Sequence, residues 1–273
     1  MPIWADPARG ERVRLLADDD MTLLATFVAP PSTRPAAADL RAVPGTDLDR
    51  LARVAVRDLP GVQVTTRLDE AEALTAAGAT VVRTLVHMVR IDLQGDPPPL
   101  PWAAPRLAAG LEAVGIEAAE PDALAAAQRR AYGPGHPDHQ ATIEAQEAGV
   151  LHAMLSGDLL GPVYPDASTL VLDEDGRIVA GLVATRWEGI GQEWPGGPWV
   201  VDVFKVPGAP PGLGRSLLER AVAVCALDGH AAVGLGVNGV NPARRLYERL
   251  GFRDAFYRVT LDLPGRWPRP PSA

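Results

Sequence analysis

The sequence contains a single cysteine, Cys225, and no long uninterrupted apolar run. One cysteine cannot form an internal disulfide, the bond that stabilises many secreted domains. The residues after Met1 lack the basic and then apolar segments of a signal peptide, and no apolar stretch approaches the roughly 20 residues of a membrane span. We therefore expect a cytoplasmic protein without a membrane partner.

An excess of positive charge is also absent, because 26 Lys and Arg residues face 34 Asp and Glu residues and the net charge is -8. A surface that binds nucleic acid is selected to be basic, so we predict no nucleic-acid partner. Any phosphate on a ligand must instead be held by a local set of donors. The 47% hydrophobic content is sufficient for a core and predicts a folded protein.

Proline indicates where the chain divides. The stretch from Gly95 to Pro101 contains four prolines, and it can continue neither a helix nor a central strand. A chain of 273 residues fits one large domain or two of unequal size. We predict an N-terminal domain at 1–94, a Pro-rich linker at 95–114, a larger domain at 115–264 and a tail at 265–273.

The larger domain alternates between helical and strand periodicity, which predicts an α/β fold. In chain order, the pattern predicts two helices, three strands, a helix, a strand, a helix and a final strand. The predicted helices span 122–131, 142–155, 215–227 and 242–250, and the predicted strands span 169–172, 177–184, 199–206, 232–237 and 256–263.

Two of these helices begin with motifs suited to binding a ligand. The first begins at Gly212-Leu213-Gly214-Arg215-Ser216, directly after a strand and a glycine-rich turn. Such a helix start presents unpaired N–H groups at the positive end of the helix dipole, which suits a pyrophosphate. Alone this motif is weak, because the same turns also serve ordinary strand-to-helix packing.

The second helix start is more specific, since it runs from Asn241 through Leu246-Tyr247 to Gly251-Phe252. With the first motif, it resembles the core of the Gcn5-related N-acetyltransferases (GNAT), whose hallmarks are a loop R/Q-x-x-G-x-G/A and a later N…LYxxxGF. The resemblance covers about residues 115–263 in element order. It implies a mixed, mostly antiparallel sheet flanked by helices, with acetyl-CoA as cosubstrate and no metal.

The resemblance also implies roles for individual residues. Tyr247 would protonate the departing thiolate after a neutral amine attacks the acetyl carbon. The cofactor-binding residues would be Val203, Phe204 and Lys205 at the pantetheine arm, Gly212, Leu213, Gly214, Arg215 and Ser216 at the pyrophosphate, Asn241 at the arm and Arg244 near the phosphates. For Tyr247 the alternative is a tyrosine that packs its ring and bonds its hydroxyl locally.

The loop before Gly212 departs from the family pattern. It is one residue short, Ala209 stands where Arg or Gln is expected, and Pro210 and Pro211 have no N–H to donate. Because of these departures, we expect either weaker binding of the cofactor or a loop that is rebuilt. An N-acetyltransferase acting on a primary amine of a small molecule or a peptide or protein is therefore the first hypothesis, and a non-catalytic acyl-CoA-binding or regulatory module is the second. A Rossmann-type nucleotide enzyme fits poorly, because Leu217 occupies the third glycine position.

Removal of the amine proton needs a base, and the carboxylates nearest the expected reaction centre are Asp202, Glu188 and Glu193. We predict Asp202 as the catalytic base, with a solvated or turn-bonded strand residue as the alternative. The other two lie in a Trp-rich hairpin tip that lines an acceptor site or covers a sheet edge.

We predict no catalytic role for the other reactive side chains. His136 and His139 have a metal-like spacing but no third ligand, so we interpret them as solvated loop residues. In the resembling family the loop between the first two helices borders the acceptor site, so both histidines remain candidates for substrate contact. Cys225 lies on the inward face of its helix and is expected to be an inert buried thiol. The sequence leaves the oligomeric state open, a homodimer included.

The first 94 residues repeat the ending of the larger domain in outline, with a helix, a glycine stop at Gly78 and a strand. Aligning Gly78 with Gly251 places Leu74 where Tyr247 stands, and no Gly-x-Gly helix start precedes it. We predict a smaller, truncated GNAT-like domain that has lost the cofactor loop and the acid. Coincidence among short helix-strand units is the alternative.

Overall fold

The computed structural model describes residues 3–5, 13–29, 36–118, 120–139, 155–157, 160–189 and 193–266. These residues form an α/β fold, as predicted. The helices are α1 Leu48–Asp58, α2 Leu68–Ala76, α3 Pro121–Ala131, α4 Leu213–Leu227 and α5 Arg244–Arg249. The strands are β1 Ile3–Ala5, β2 Val13–Ala17, β3 Leu23–Val28, β4 Ala36–Ala42, β5 Gln63–Thr66, β6 Thr80–Arg90, β7 Glu112–Val114, β8 Thr169–Leu172, β9 Ile178–Trp187, β10 Gly197–Lys205, β11 Val233–Asn238 and β12 Arg253–Asp262.

The first of two compact units comprises Met1–Val86 with Phe256–Ala273. Its strands follow the order β1-β2-β3-β4-β5-β12-β6. The pairs β1/β2, β2/β3, β3/β4 and β5/β12 are antiparallel, and β4/β5 is parallel. Helices α1 and α2 pack against each other, and the core includes the fully buried Leu40, Val64, Leu74 and Leu261. Burial of this apolar surface stabilises the unit.

The second unit, His87–Ala255, contains both helix starts that the sequence singles out. From the end of β6 its strands follow the order β6-β11-β10-β9-β8-β7. The pairs β7/β8, β8/β9 and β9/β10 are antiparallel, whereas β10/β11 is parallel. Helices α3 and α4 both pack on β9 and β10, and the core includes Leu124, Leu170 and Val183. The mixed, mostly antiparallel sheet flanked by helices is therefore confirmed.

Most predicted elements of the larger domain are present. The strand at 169–172 has the predicted bounds, and the helix predicted at 122–131 begins one residue earlier, at Pro121. The turn between β8 and β9 is a hairpin in which Gly176 has a φ of 74° and Asp173 N donates to Arg177 O at 3.0 Å. The helix predicted at 142–155 lies almost wholly outside the described residues.

The boundaries of the two compact units differ from the domain boundaries predicted from the sequence. Residues 95–114, predicted as a linker, contain a 3-10 turn at Leu100–Ala103 that packs on α4, and they contain β7, which pairs with β8. This segment belongs to the second unit because its backbone extends that unit's sheet. Part of β12, from Phe256 onwards, belongs instead to the first unit. The interpretation of residues 1–94 as a truncated copy stays a prediction.

Candidate functional site

The parallel strands β10 and β11 separate part-way along their length. Their register pairs Trp199 with Gly234 and Val200 with Leu235, and the described strands then continue to Lys205 and Asn238 without a further pair. On its other side, β10 stays paired with β9 as far as Lys205, with a bulge between Val200 and Asp202. A bulge bends a strand and increases its twist. The β11-facing backbone groups beyond Val200 are therefore left without a partner strand.

The closed end of this pair is fixed by an aromatic ring. A Cβ placed on Gly234 would lie 2.1 Å from the Trp199 ring, so the ring occupies the space that only glycine leaves. Trp187 and Trp194 contact Trp199 edge to face, with ring centroids 4.8 and 5.3 Å away. The Trp-rich hairpin tip therefore packs its rings inward, while Glu188 on the same tip is exposed.

Helix α4 begins beside the separated strands with a left-handed glycine. Gly212 is the N-cap residue, with a φ of 87° and no side-chain cap, and the first intrahelical bond runs from Ser216 N to Gly212 O at 3.0 Å. The N–H groups of Leu213, Gly214 and Arg215 consequently have no intrahelical acceptor. A Cβ on Gly212 would meet nothing within 4 Å. Open space and N–H groups without an intrahelical acceptor, at the positive end of the helix, suit an anion.

Two arginines and a glutamate surround the first turn of α4. Arg215 Nε lies 2.8 Å from Glu219 Oε1, and Arg106 pairs with the other carboxylate oxygen of the buried Glu219. Arg106 N also donates to Ser216 Oγ at 2.6 Å. Ser216 therefore bonds through its side chain to the Pro-rich segment. Sequence reasoning missed Arg106, because that segment has no motif of its own.

Lys205 lies at the end of β10, against the irregular loop. Its ammonium donates to Ala209 O at 3.0 Å and to Val206 O at 3.4 Å, and the side chain is exposed. A cation therefore lies beside Ala209, where the family pattern has Arg or Gln. Val203 is half-buried and Phe204 is a core residue.

The second helix start uses its polar side chains within the fold. Asn241 Oδ1 accepts from Ala243 N at 2.8 Å, and Asn241 Nδ2 donates to Asp138 Oδ2 at 2.5 Å. Arg244 Nη2 donates to both carboxylate oxygens of Asp254, at 3.0 and 2.8 Å. Arg244 Nε is buried without a partner in the described parts of the chain. Both residues are thus ordered by contacts before any ligand arrives.

Tyr247 is buried, with only 6% of its surface exposed. Its ring lies edge-on to Phe252 at 6.3 Å, and its hydroxyl forms no hydrogen bond with any described residue. Burial, with the charges of Asp138 and Asp202, raises the pKa of the phenol above its ordinary value. The hydroxyl therefore keeps its proton at neutral pH, and the alternative of a locally bonded hydroxyl finds no support among the described residues.

Asp202 is held by two donors from the end of α3. Tyr132 Oη donates to Asp202 Oδ1, and Gln128 Nε2 donates to Asp202 Oδ2. Burial raises the pKa of the Asp202 carboxyl, and the two donors oppose that rise. Burial and the charge of Asp202 likewise raise the pKa of the Tyr132 phenol. Asp202 is thus an internally bonded carboxylate, where the alternative expected solvent or a turn.

His136 and His139, singled out from the sequence, are both held by contacts within the loop after α3. His136 Nδ1 accepts from Asp138 N at 3.1 Å and its ring lies 4.9 Å from Tyr132, while His139 Nδ1 lies 2.8 Å from Tyr132 O. The loop is attached to β11 by Asn238 Nδ2, which donates to Pro137 O at 3.2 Å. Both rings are half-buried. In the described residues, no group of three or more His, Cys, Asp or Glu could hold a metal ion.

Two further observations concern residues away from this cluster. Cys225 is buried, and burial raises the pKa of its thiol to about 12, which keeps the thiol protonated. Among the helices in the described part of the chain, none is long and apolar enough to cross a membrane.

Sequence comparison finds no family model and no curated protein that matches the chain. Solved structures do match. A GCN5-related N-acetyltransferase from Sphaerobacter thermophilus superimposes with a TM-score of 0.63 at 18% identity, over 94% of this chain and 82% of that one. A GCN5-related N-acetyltransferase from Kribbella flavida gives 0.51 at 18% identity, over 89% and 87%. A tandem GNAT protein from the clavulanic acid biosynthesis pathway gives 0.54 at 13% identity, over 91% and 81%.

The chain has the GNAT fold. The fold expected from Asn241 through Phe252 is therefore confirmed. At these identities the likeness extends to the GNAT fold alone, and fold does not determine function. What this GNAT fold does must be argued from the cluster of Asp202, Tyr132, Tyr247 and Asp138 and from the start of α4.

Proposed function

We propose that the protein is an N-acetyltransferase that moves acetyl from acetyl-CoA to the primary amine of a small molecule or a peptide by direct attack. The observation that carries this proposal is the separation of β10 and β11 beside the uncapped start of α4. An extended arm can add to the free edge of β10, and a pyrophosphate can meet the N–H groups of α4.

The residues present fit acetyl-CoA in most respects. The backbone of Val203, Phe204 and Lys205 would pair with the pantetheine arm, and the N–H groups from Gly212 to Ser216 would face the pyrophosphate. Pro210 and Pro211 offer no N–H there. The cations of Lys205, Arg215 and Arg106 lie at the same loop and first turn, so they would supply the positive charge that Ala209 lacks.

Asn241 and Arg244 would complete the binding of acetyl-CoA at the start of α5. Asn241 already orients its side chain through Asp138 and Ala243, so it would contact the arm without a large loss of side-chain entropy. Arg244 would lie near a phosphate, with its guanidinium oriented by the bond from Nη2 to Asp254.

Two side chains would carry the proton transfers, and acetyl-CoA would supply the activated acetyl thioester. Asp202 would take the proton of the acceptor amine, because a half-buried carboxylate whose pKa is raised is a stronger base than a fully solvated one. Tyr247 would give its proton to the departing thiolate, since its hydroxyl is protonated and unbonded among the described residues. The protein itself would form no covalent intermediate.

A non-catalytic acyl-CoA-binding module is the second candidate, favoured by the two prolines before Gly212. Titration calorimetry with acetyl-CoA and a thiol-release assay over a panel of amines separate the two. Saturable binding with amine-dependent thiol release supports the enzyme. Tight binding without release on any amine supports the module, and absence of binding rejects both.

A further inference from the structure

The loop at 132–139 carries a carboxylate that the sequence did not single out. Asn238 holds this loop through Pro137 O, and Asn241 holds it through Asp138 Oδ2. These two contacts bring Asp138 to the start of α5, the helix of Tyr247. The charge of Asp138 acts on both Tyr247 and Asp202.

The two carboxylate oxygens of Asp138 have different surroundings. Oδ2 accepts from Asn241, whereas Oδ1 is buried and has no hydrogen-bond partner in the described parts of the chain. A buried acceptor left unpaired is destabilising, and more so when it is charged. Such an atom is commonly paired by a group from outside the chain.

A second unpaired polar group lies in the same cluster. Tyr247 is more than nine-tenths buried, and its hydroxyl bonds to no described residue. The titratable groups around Asp138 are Asp202 on β10, Tyr247 on α5, and Tyr132 and His136 on its own loop. Among described residues, His136 is the only basic side chain beside either carboxylate, and its Nδ1 lies 3.9 Å from Asp138 Oδ2. The same Nδ1 accepts a hydrogen bond from Asp138 N, so it donates none to the carboxylate.

We propose that Asp138 binds the ammonium group of the acceptor through Oδ1, so that the site selects cationic primary amines over uncharged ones. An ammonium supplies the donor that Oδ1 lacks and balances the two carboxylates, Asp138 and Asp202. Anionic acceptors are disfavoured by the same charges. This inference rests on the proposed acetyl transfer and names its substrate class.

Binding of two matched probes without acetyl-CoA tests the inference separately from turnover. A primary alkylamine is cationic at neutral pH, and the alkoxyamine of the same length is uncharged. We expect the wild-type protein to bind the alkylamine at least tenfold more tightly, by calorimetry or NMR titration. Asp138→Asn, which keeps an oxygen for Asn241, should abolish that preference, and Asp138→Glu should retain part of it.

Asp175→Asn is the matched control, because it removes the same charge from an exposed turn where Asp175 pairs with Arg177. It should leave the preference intact. Equal affinity of the wild type for both probes, or a preference that survives Asp138→Asn, overturns the inference. If Asp138→Asn does not fold, the wild-type protein decides at pH 7 and at a pH low enough to protonate carboxylates, with the primary alcohol of the same length as the uncharged probe. The alcohol stays uncharged at both pH values, so the preference for the alkylamine must vanish at the lower one. If the wild-type protein prefers the alkylamine but transfers acetyl to no amine, the proposed function is wrong and the inference about Asp138 stands.

Discussion

The phenol of Tyr132 donates a hydrogen bond to the carboxylate of Asp202, which lies 70 positions later in the chain. With Gln128, this contact joins the end of α3 to the part of β10 that has separated from β11. The pKa of Asp202 is therefore set by opposing effects: burial and the charge of Asp138 raise it, and the two donors lower it.

Tyr132→Phe should move the acid limb of the pH–rate profile to higher pH. The rate rises as Asp202 loses its proton, and removal of a donor to the carboxylate raises its pKa further. A hydrogen bond to a charged group contributes roughly 1.5–3 kcal/mol, so we expect a displacement on the order of one pH unit. Kinetics of kcat/KM with an alkoxyamine acceptor, which does not itself titrate near neutral pH, provide the measurement.

Tyr164→Phe is the control for this displacement, because Tyr164 donates in the same way to a different carboxylate, Asp228. It should leave the acid limb in place. An unmoved limb in Tyr132→Phe would show that Asp202 is not the group whose deprotonation limits the rate.

Tyr247→Phe should lower kcat by roughly a hundredfold or more, in the range that a positioned acid contributes. Affinity for acetyl-CoA should stay within about twofold, since only an unbonded hydroxyl is removed, and the melting temperature should change little. Thiol release and titration calorimetry measure the two quantities. Tyr257→Phe, in the other compact unit, serves as the control, and an unchanged kcat in Tyr247→Phe would remove this residue from the mechanism.

Gly212→Ala should lower both stability and acetyl-CoA affinity, for different reasons. The φ of 87° costs a residue with a Cβ roughly 1–2 kcal/mol, although no atom of the chain lies within 4 Å of that Cβ. The affinity should fall at least tenfold, because the methyl group enters the space above the free N–H groups. Gly212→Val should have a larger effect on affinity.

Gly208→Ala is matched to that change, with a φ of 85° and equally open surroundings in the same loop. Gly208→Ala should lower the free energy of unfolding by a similar amount, measured with denaturant, and should keep more of the affinity for acetyl-CoA. If both variants lose affinity equally, backbone strain in the loop is the cause, and the assignment of Gly212 to the pyrophosphate is wrong.

The fold was largely predictable because it depends on local patterns. The apolar alternation of β8, the helix from Pro121 and the glycine stop after α5 are each specified within a dozen residues of sequence. The three-residue strand β7 was missed, since so short a segment has no periodicity. The placement of β12 was also missed, because strand partners are chosen by tertiary packing.

The candidate site was predictable only where it carried a motif. Tyr247 and Gly212 stand in recognisable sequence contexts, whereas Tyr132, Arg106 and Asp138 act through partners far along the chain. Arg106 meets Ser216 at a separation of 110 positions and Asp138 meets Asn241 at 103. A local signal was the i, i+4 spacing of Gln128 in α3 and Tyr132 directly after it, which places both side chains on the same side at the end of the helix.

Transfer of a radiolabelled acetyl group is the decisive test of the proposed acetyl transfer. Protein pre-mixed with labelled acetyl-CoA is given a primary alkylamine, and label is followed in the amine and on the denatured protein. We expect the label to pass to the amine and none to stay covalently on the protein, with or without amine. Label that never reaches any amine while acetyl-CoA is bound, or label retained on the protein, would contradict the proposal.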